Sequence, residues 1–216
     1  MKQGKHTVLF ICLGNICRSP AAEGIMKSLV EKAGLSDEFE IDSAGIGSWH
    51  VGQLPDSRMR KCGAEHGYRF DSHARQFQRS DFKRFDTIVV MDNENYRAIT
   101  SMASSQADKD KVVRMADFLT SHREYTTVPD PYYGDYSDFE LVIILLEDAC
   151  QGLLDELTMA HPINQGDQAY SFISLKRKNF ISVTPLKAAL NALILALNDS
   201  AKALVALLTK KFKTSS

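Results

Sequence analysis

With 216 residues, 26 basic against 27 acidic side chains and a net charge of −1, the chain can build one domain with a sizeable core plus an appendage, and it has no excess charge to draw it to nucleic acid or an acidic membrane. Residues 1–7 are polar and the apolar run 8–13 is short, so the N-terminus reads as a first strand rather than a signal peptide. Four cysteines at irregular spacing make neither a disulfide framework nor paired zinc knuckles, and point to a reducing compartment, the cytoplasm.

The first predicted element is a strand over 6–12, which runs straight into Cys12, Leu13, Gly14, Asn15, Ile16, Cys17 and Arg18. Gly14 and Asn15 suit tight or left-handed backbone. Ser19 and Pro20 read as the N-cap and first turn of a helix over 20–33. Loop amides and a helix N-terminus at one point favour a dianion, and the same field favours thiolate over thiol at Cys12. Ser19 can donate its hydroxyl to that thiolate. The planar guanidinium of Arg18 suits two phosphoryl oxygens at once, which a lysine could not match. A cysteine and an arginine six apart occur by chance in many chains; the strand before and the capped helix after give this pair its meaning.

Further strands are predicted over 39–44, 87–91 and 111–115, and helices over 56–66, 93–102 and 138–158. Asp92 reads as the N-cap of the helix from Asn93, with a lesser claim to a role near the site, and Ser137 with Glu140 as a capping box for the last helix. In that helix Phe139, Val142, Ile143, Leu146, Ala149, Leu153, Leu154 and Leu157 recur at helical spacing and form a core-facing stripe. Strand alternating with helix predicts an α/β fold: a doubly wound central parallel sheet of about four strands with flanking helices, plus a C-terminal helical extension. In such a sheet ligands bind beyond the carboxyl ends of the strands, where the Cys12 loop must sit.

CLGNICRSP at 12–20 and, far along the chain, DPYYGD at 130–135 together resemble the low-molecular-weight protein tyrosine phosphatases, over about residues 5–157. The resemblance implies hydrolysis of phosphotyrosine and aryl phosphates through a cysteinyl phosphate, with Cys12 as nucleophile, Arg18 on the phosphoryl oxygens and Asp130 as general acid. An acid is needed because a tyrosine leaving group, of pKa near 10, departs poorly as phenolate at neutral pH. Residues Leu13 to Cys17 and Ser19 would line the phosphate. Trp49, in the glycine-rich stretch 45–52, would wall the cleft with Tyr132 and Tyr133, or else anchor the surface by partial burial. Asn15, Ser19 and Ser43 match a family network that supports the loop and ends on a histidine; this chain has Ser72 at that position and His73 next to it. In relatives a second cysteine, here Cys17, can pair with the nucleophile under peroxide.

Cys62 and Cys150 read as structural helix cysteines. His6, His50, His66, His122 and His161 show no spacing that reads as a metal site, so neither metal nor other cofactor is expected. Partners would be tyrosine-phosphorylated proteins. Arsenate reductase, a rival of similar loop, needs further cysteines near the third strand, and 91–96 has none. Protein arginine phosphatase carries Thr where this chain has Ile16, whose apolar bulk favours an aryl phosphate. A silent phosphotyrosine-binding module would not need Asp130.

The domain is placed at 1–159 and a linker with an amphipathic helical extension at 160–216. From Thr184 and Pro185 onward, leucines 186, 190, 193, 197, 204 and 207 repeat at helical spacing, while Lys187, Asn191, Asn198, Asp199 and Lys202 interrupt any membrane-length apolar run. Docking or self-association, membrane-surface contact and an idle extension stay open as its role.

Overall fold

The computed structural model describes residues 5–159, so the expected linker and helix after 159 lie outside the described residues. Four parallel strands, β1 His6–Cys12, β2 Phe39–Gly45, β3 Thr87–Val90 and β4 Val112–Arg114, form one sheet in the order β2-β1-β3-β4. Register places Cys12 opposite Gly45 and Ile11 opposite Val90. The loop after β1, the end of β2 and the turn after β3 therefore gather at one edge, the switch point of a doubly wound sheet.

Helices α1 Arg18–Lys32, α2 Ser57–Glu65, α3 Asp81–Arg84, α4 Asn93–Met102, α5 Gln106–Asp110 and α6 Tyr136–Met159 fill the connections. Strand side chains alternate between two cores. Val8 and Phe10 of β1 pack with Ala22, Ile25 and Met26 of α1 and with Val142, Ile143, Leu146 and Ala149 of α6. Leu9 and Ile11 face the other way, onto Phe77, Phe82, Phe85 and Ile99. The whole predicted stripe of α6 is buried, with Leu145 and Cys150 beside it, and each large apolar side chain so buried is worth about 1.5–3 kcal/mol. Gly152 makes a close approach possible: a Cβ there would lie 2.1 Å from the Phe118 carbonyl oxygen, so any side chain would push apart α6 and the turn after β4.

Both predicted serine caps are corrected. α1 starts at Arg18 with Cys17 as N-cap and no side-chain capping bond, because Ser19 is turned toward Cys12. Before α6 the cap is Asp135, whose carboxylate accepts from Ser137 N–H at 2.8 Å and Ser137 Oγ at 2.6 Å, while Asp138 accepts from Asp135 N–H at 2.8 Å. Glu140 turns instead to His66, 2.7 Å away. The short helices α3 and α5 fall below the length at which periodicity registers.

Asp148 of α6 ties down the segment between β4 and residue 130. It accepts from the N–H groups of Thr120, Ser121 and His122 at 2.9–3.1 Å and from the Thr120 hydroxyl. Burial works against its charge, but these donors outweigh it and hold the carboxyl down at about 2. A folded value below the unfolded one, near 3.8, means stability that is present above pH 4 and lost as pH falls through about 2. Asp148→Asn is expected to cost about 2 kcal/mol at pH 7 in urea unfolding, with the gap to the parent closing between about pH 4 and pH 2.

Candidate active site

The Cys12 loop is held from below by an amide and two hydroxyls. Asn15 takes the left-handed conformation, φ 57°, and its N–H points at Cys12 Sγ, 3.3 Å away. Its Nδ2 donates to Ser19 Oγ at 2.9 Å and Ser43 Oγ at 2.8 Å, and its Oδ1 accepts from the Arg75 N–H at 2.9 Å. Each hydroxyl, having accepted from Asn15, has its own proton to give: Ser43 to Glu23 at 2.6 Å, and Ser19 to a thiolate at Cys12 Sγ, 3.0 Å away, or to the more distant Ala44 carbonyl at 3.4 Å. A thiolate at Cys12 thus has two donors. Glu23, almost fully buried, is neutralised by Lys27 one turn further along α1.

Loop carbonyls are occupied from outside, Cys12 and Leu13 by the N–H groups of Ile46 and Gly47, Ile16 by that of Asp56. The first amides of α1 have no helical partner, as at any helix N-terminus, and remain for an anion. At the end of β2 a Cβ on Gly45 would lie 3.0 Å from the Gly14 carbonyl carbon, so only glycine lets that strand run so close under the loop.

Arg18 is buried and its guanidinium is nearly spent on protein groups. Nη1 donates to Asp92 Oδ2 at 2.7 Å and to the Val128 carbonyl at 3.2 Å, and Nη2 donates to Asp130 Oδ2 at 2.6 Å. Nε is buried without a partner among the described residues. Burial opposes the charge on Arg18, but Cys12, Asp130 and Asp92 more than offset it and push its pKa up. Asp130, half-exposed, also accepts from the Tyr132 N–H at 3.2 Å. Asp92 caps α4 as expected, through Asn95 N–H at 2.7 Å, and with its second oxygen fixes Arg18.

Around this floor Trp49, Tyr132 and Tyr133 are exposed, Tyr133 almost fully, with the two tyrosine rings edge to face at 5.0 Å. Arg58, paired with Asp56, donates to the Tyr132 carbonyl at 3.0 Å and so joins the first turn of α2 to the 130–135 loop. Ile16 is buried in the core cluster. Leu13 is half-exposed and Cys17 buried; burial first, and then Cys12, Asp56 and Asp130, push the Cys17 thiol well up.

The structure therefore brings together Cys12, Arg18, Asp130, Asn15, Ser19 and Ser43. Ser72 and His73 do not join the network: its outer end is the backbone N–H of Arg75, two residues beyond His73. Sequence reasoning missed Glu23, Arg58 and Arg75 and ranked Asp92 first as a cap, with its place near the site second. For Asp92 a signal existed, since it directly follows a strand at the ligand-binding edge. Backbone donation by Arg75 leaves no trace in residue type.

A family model described as "Low molecular weight phosphotyrosine protein phosphatase" matches residues 7–162. A low molecular weight protein-tyrosine-phosphatase of Streptomyces coelicolor is 44% identical over 151 residues, covering 69% of this chain and 92% of its own. Among solved structures, a protein tyrosine phosphatase from Entamoeba histolytica is similar at 47% identity and TM-score 0.70, over 72% of this chain and 98% of its own. A drosophila arginine phosphatase is similar at 33% identity and TM-score 0.65, over 69% and 96%.

Proposed function

The chain belongs to the low molecular weight phosphotyrosine protein phosphatase family, cysteine-dependent hydrolases of phosphotyrosine, and on that premise we propose that Cys12, Arg18 and Asp130 carry the reaction here. The observation that supports it most is their convergence: Asp130 reaches across 112 residues to within 2.6 Å of the arginine that stands in the nucleophile's own loop.

An arriving phosphate ester competes with Asp130 for Arg18 and gains the free Nε and the loop amides. The Cys12 thiolate attacks phosphorus in line, the S–P bond forms, the P–O bond to the phenol breaks, and Asp130 passes its proton to the departing oxygen. Asp130, now a carboxylate, takes a proton from water as that water attacks the cysteinyl phosphate. Orthophosphate leaves and the thiolate returns. Asp92 holds Arg18 in place throughout. Leu13, Gly14, Ile16 and Cys17 shape the loop, and Trp49, Tyr132 and Tyr133 offer flat apolar surface to an aryl ring.

Ile16 lacks a hydroxyl, so nothing at that position favours the polar guanidinium of phosphoarginine over a phenyl ring. Turnover of p-nitrophenyl phosphate and a phosphotyrosine peptide in chelator, blocked by vanadate and at least tenfold faster than phosphoarginine turnover, is the expected result. Preference for phosphoarginine would overturn the aryl assignment.

We place the enzyme in the cytoplasm, acting on tyrosine-phosphorylated proteins; four free cysteines support a reducing compartment. Among the described residues no helix is long and apolar enough to cross a membrane. We also assign Cys17 as a resolving thiol. Peroxide converts the Cys12 thiolate to a sulfenic acid, which removes one of the charges that hold the Cys17 thiol up; Cys17 then displaces water and forms the disulfide. Cys17→Ser should recover less than half the parent's activity after peroxide followed by dithiothreitol, and equal recovery would dismiss the role.

A further inference from the structure

Cys62 lies in α2 and His66, one turn further on, caps its C-terminus, while Glu140 and Glu147 stand two turns apart on α6, so each pair shares one side of its helix. The two faces meet. His66 Nε2 lies 2.7 Å from one oxygen of Glu140, and Cys62 Sγ donates to the other at 3.2 Å. One donor atom from each of Cys62, His66 and Glu140 lies within 4.8 Å of the others. The second imidazole nitrogen, Nδ1, lies 3.4 Å from Glu147, whose carboxylate also accepts from the Tyr68 hydroxyl at 2.9 Å.

We propose that Cys62, His66 and Glu140 bind a divalent ion of the zinc class between α2 and α6, with Glu147 orienting the histidine. The donor set selects the ion. One sulfur, one imidazole nitrogen and one carboxylate oxygen suit Zn2+ or Co2+, whereas Mg2+ and Ca2+ want six or more oxygens. Bonds of about 2.0–2.3 Å to a tetrahedral ion put ligand atoms roughly 3.3–3.8 Å apart, which side-chain adjustments of about 1 Å reach from here. A carboxylate on Nδ1 is the usual support of a metal-bound histidine: it keeps the proton on Nδ1 and leaves Nε2 to the ion. Cys62 is buried while His66 and Glu140 are partly exposed, so the ion has an approach from solvent and a fourth position for water. Binding releases the Cys62 thiol proton to solvent and moves no electrons.

None of these side chains is a partner of Cys12, Arg18 or Asp130, and the site takes no part in phosphoryl transfer. It fastens α2, whose N-cap Asp56 and first-turn Arg58 reach the Cys12 and 130–135 loops, to α6, which follows the latter. Sequence spacing conceals it, because Glu140 and Glu147 lie 74 and 81 residues from His66.

The test is a Co2+ titration of the full chain, read by thiolate-to-cobalt charge-transfer absorption. One saturable equivalent per chain is expected, displaced by Zn2+, retained in Cys12→Ser and absent in Cys62→Ser. Half-saturation should weaken at least tenfold in His66→Gln and Glu140→Gln, and about ten- to a hundredfold in Glu147→Gln. A parent without the band, a band lost with Cys12 but kept without Cys62, or His66→Gln and Glu140→Gln binding like the parent would each overturn the site.

Discussion

Replacing Cys12 by serine should lower kcat/KM for aryl phosphates by about 10^4-fold or more while leaving the fold intact. The reason lies in what surrounds the sulfur. Ser19 Oγ and Asn15 N–H converge on it, and Arg18 holds a positive charge nearby, an arrangement that stabilises an anion on a polarisable atom. A serine hydroxyl at that point meets the same donors but holds its proton at neutral pH, and the groups that touch it, Ser19 Oγ and Asn15 N–H, supply hydrogen bonds rather than a base. The site keeps its arginine and amides, so orthophosphate or vanadate should still raise the thermal midpoint of Cys12→Ser. A variant that kept activity within tenfold of the parent would remove Cys12 from the reaction.

Asp130→Ala is expected to slow phenyl phosphate turnover by about 10^2- to 10^4-fold, the usual range for loss of a general acid, and p-nitrophenyl phosphate much less. A good leaving group departs without a proton; phenolate does not. The logarithm of kcat/KM, which covers cysteinyl-phosphate formation and not the later water step that Asp130 also serves, should therefore fall more steeply with leaving-group pKa in the variant. Because Asp130 also pairs with Arg18, Asp130→Asn is the useful companion: it keeps a hydrogen-bond acceptor at Nη2 but has no proton to deliver, and should show the same steep dependence. Equal losses across leaving groups would reassign Asp130 to holding Arg18 alone.

The fold was largely legible in the chain because four apolar runs alternate with helical stretches, and β1 and α4 form at the expected bounds. The nucleophile loop and Asp130 stood out because their chemistry needs particular residue types at particular places. What was lost is what tertiary contact decides. Ser19 and Ser137 both look like caps, yet Ser19 serves the sulfur and Asp135 caps α6. Glu140, expected to close a capping box, meets a histidine and a cysteine from another helix. The outer end of the Asn15 network fell on a main-chain N–H, whose position depends on how residues 72–75 run past the end of β2 and not on which side chains they carry.

The packing of α1 against α6, with the Cys150 thiol donating to the Ala22 carbonyl, has a consequence for how the enzyme comes into being. On the ribosome, the nucleophile's loop is among the first segments to emerge and Asp130 among the last of the described domain. Until α6 is released to cover α1, the nascent chain holds a reactive thiol without its acid and with the α1 side of its core bare. Activity in this chain should switch on late in synthesis and all at once, when α6 docks.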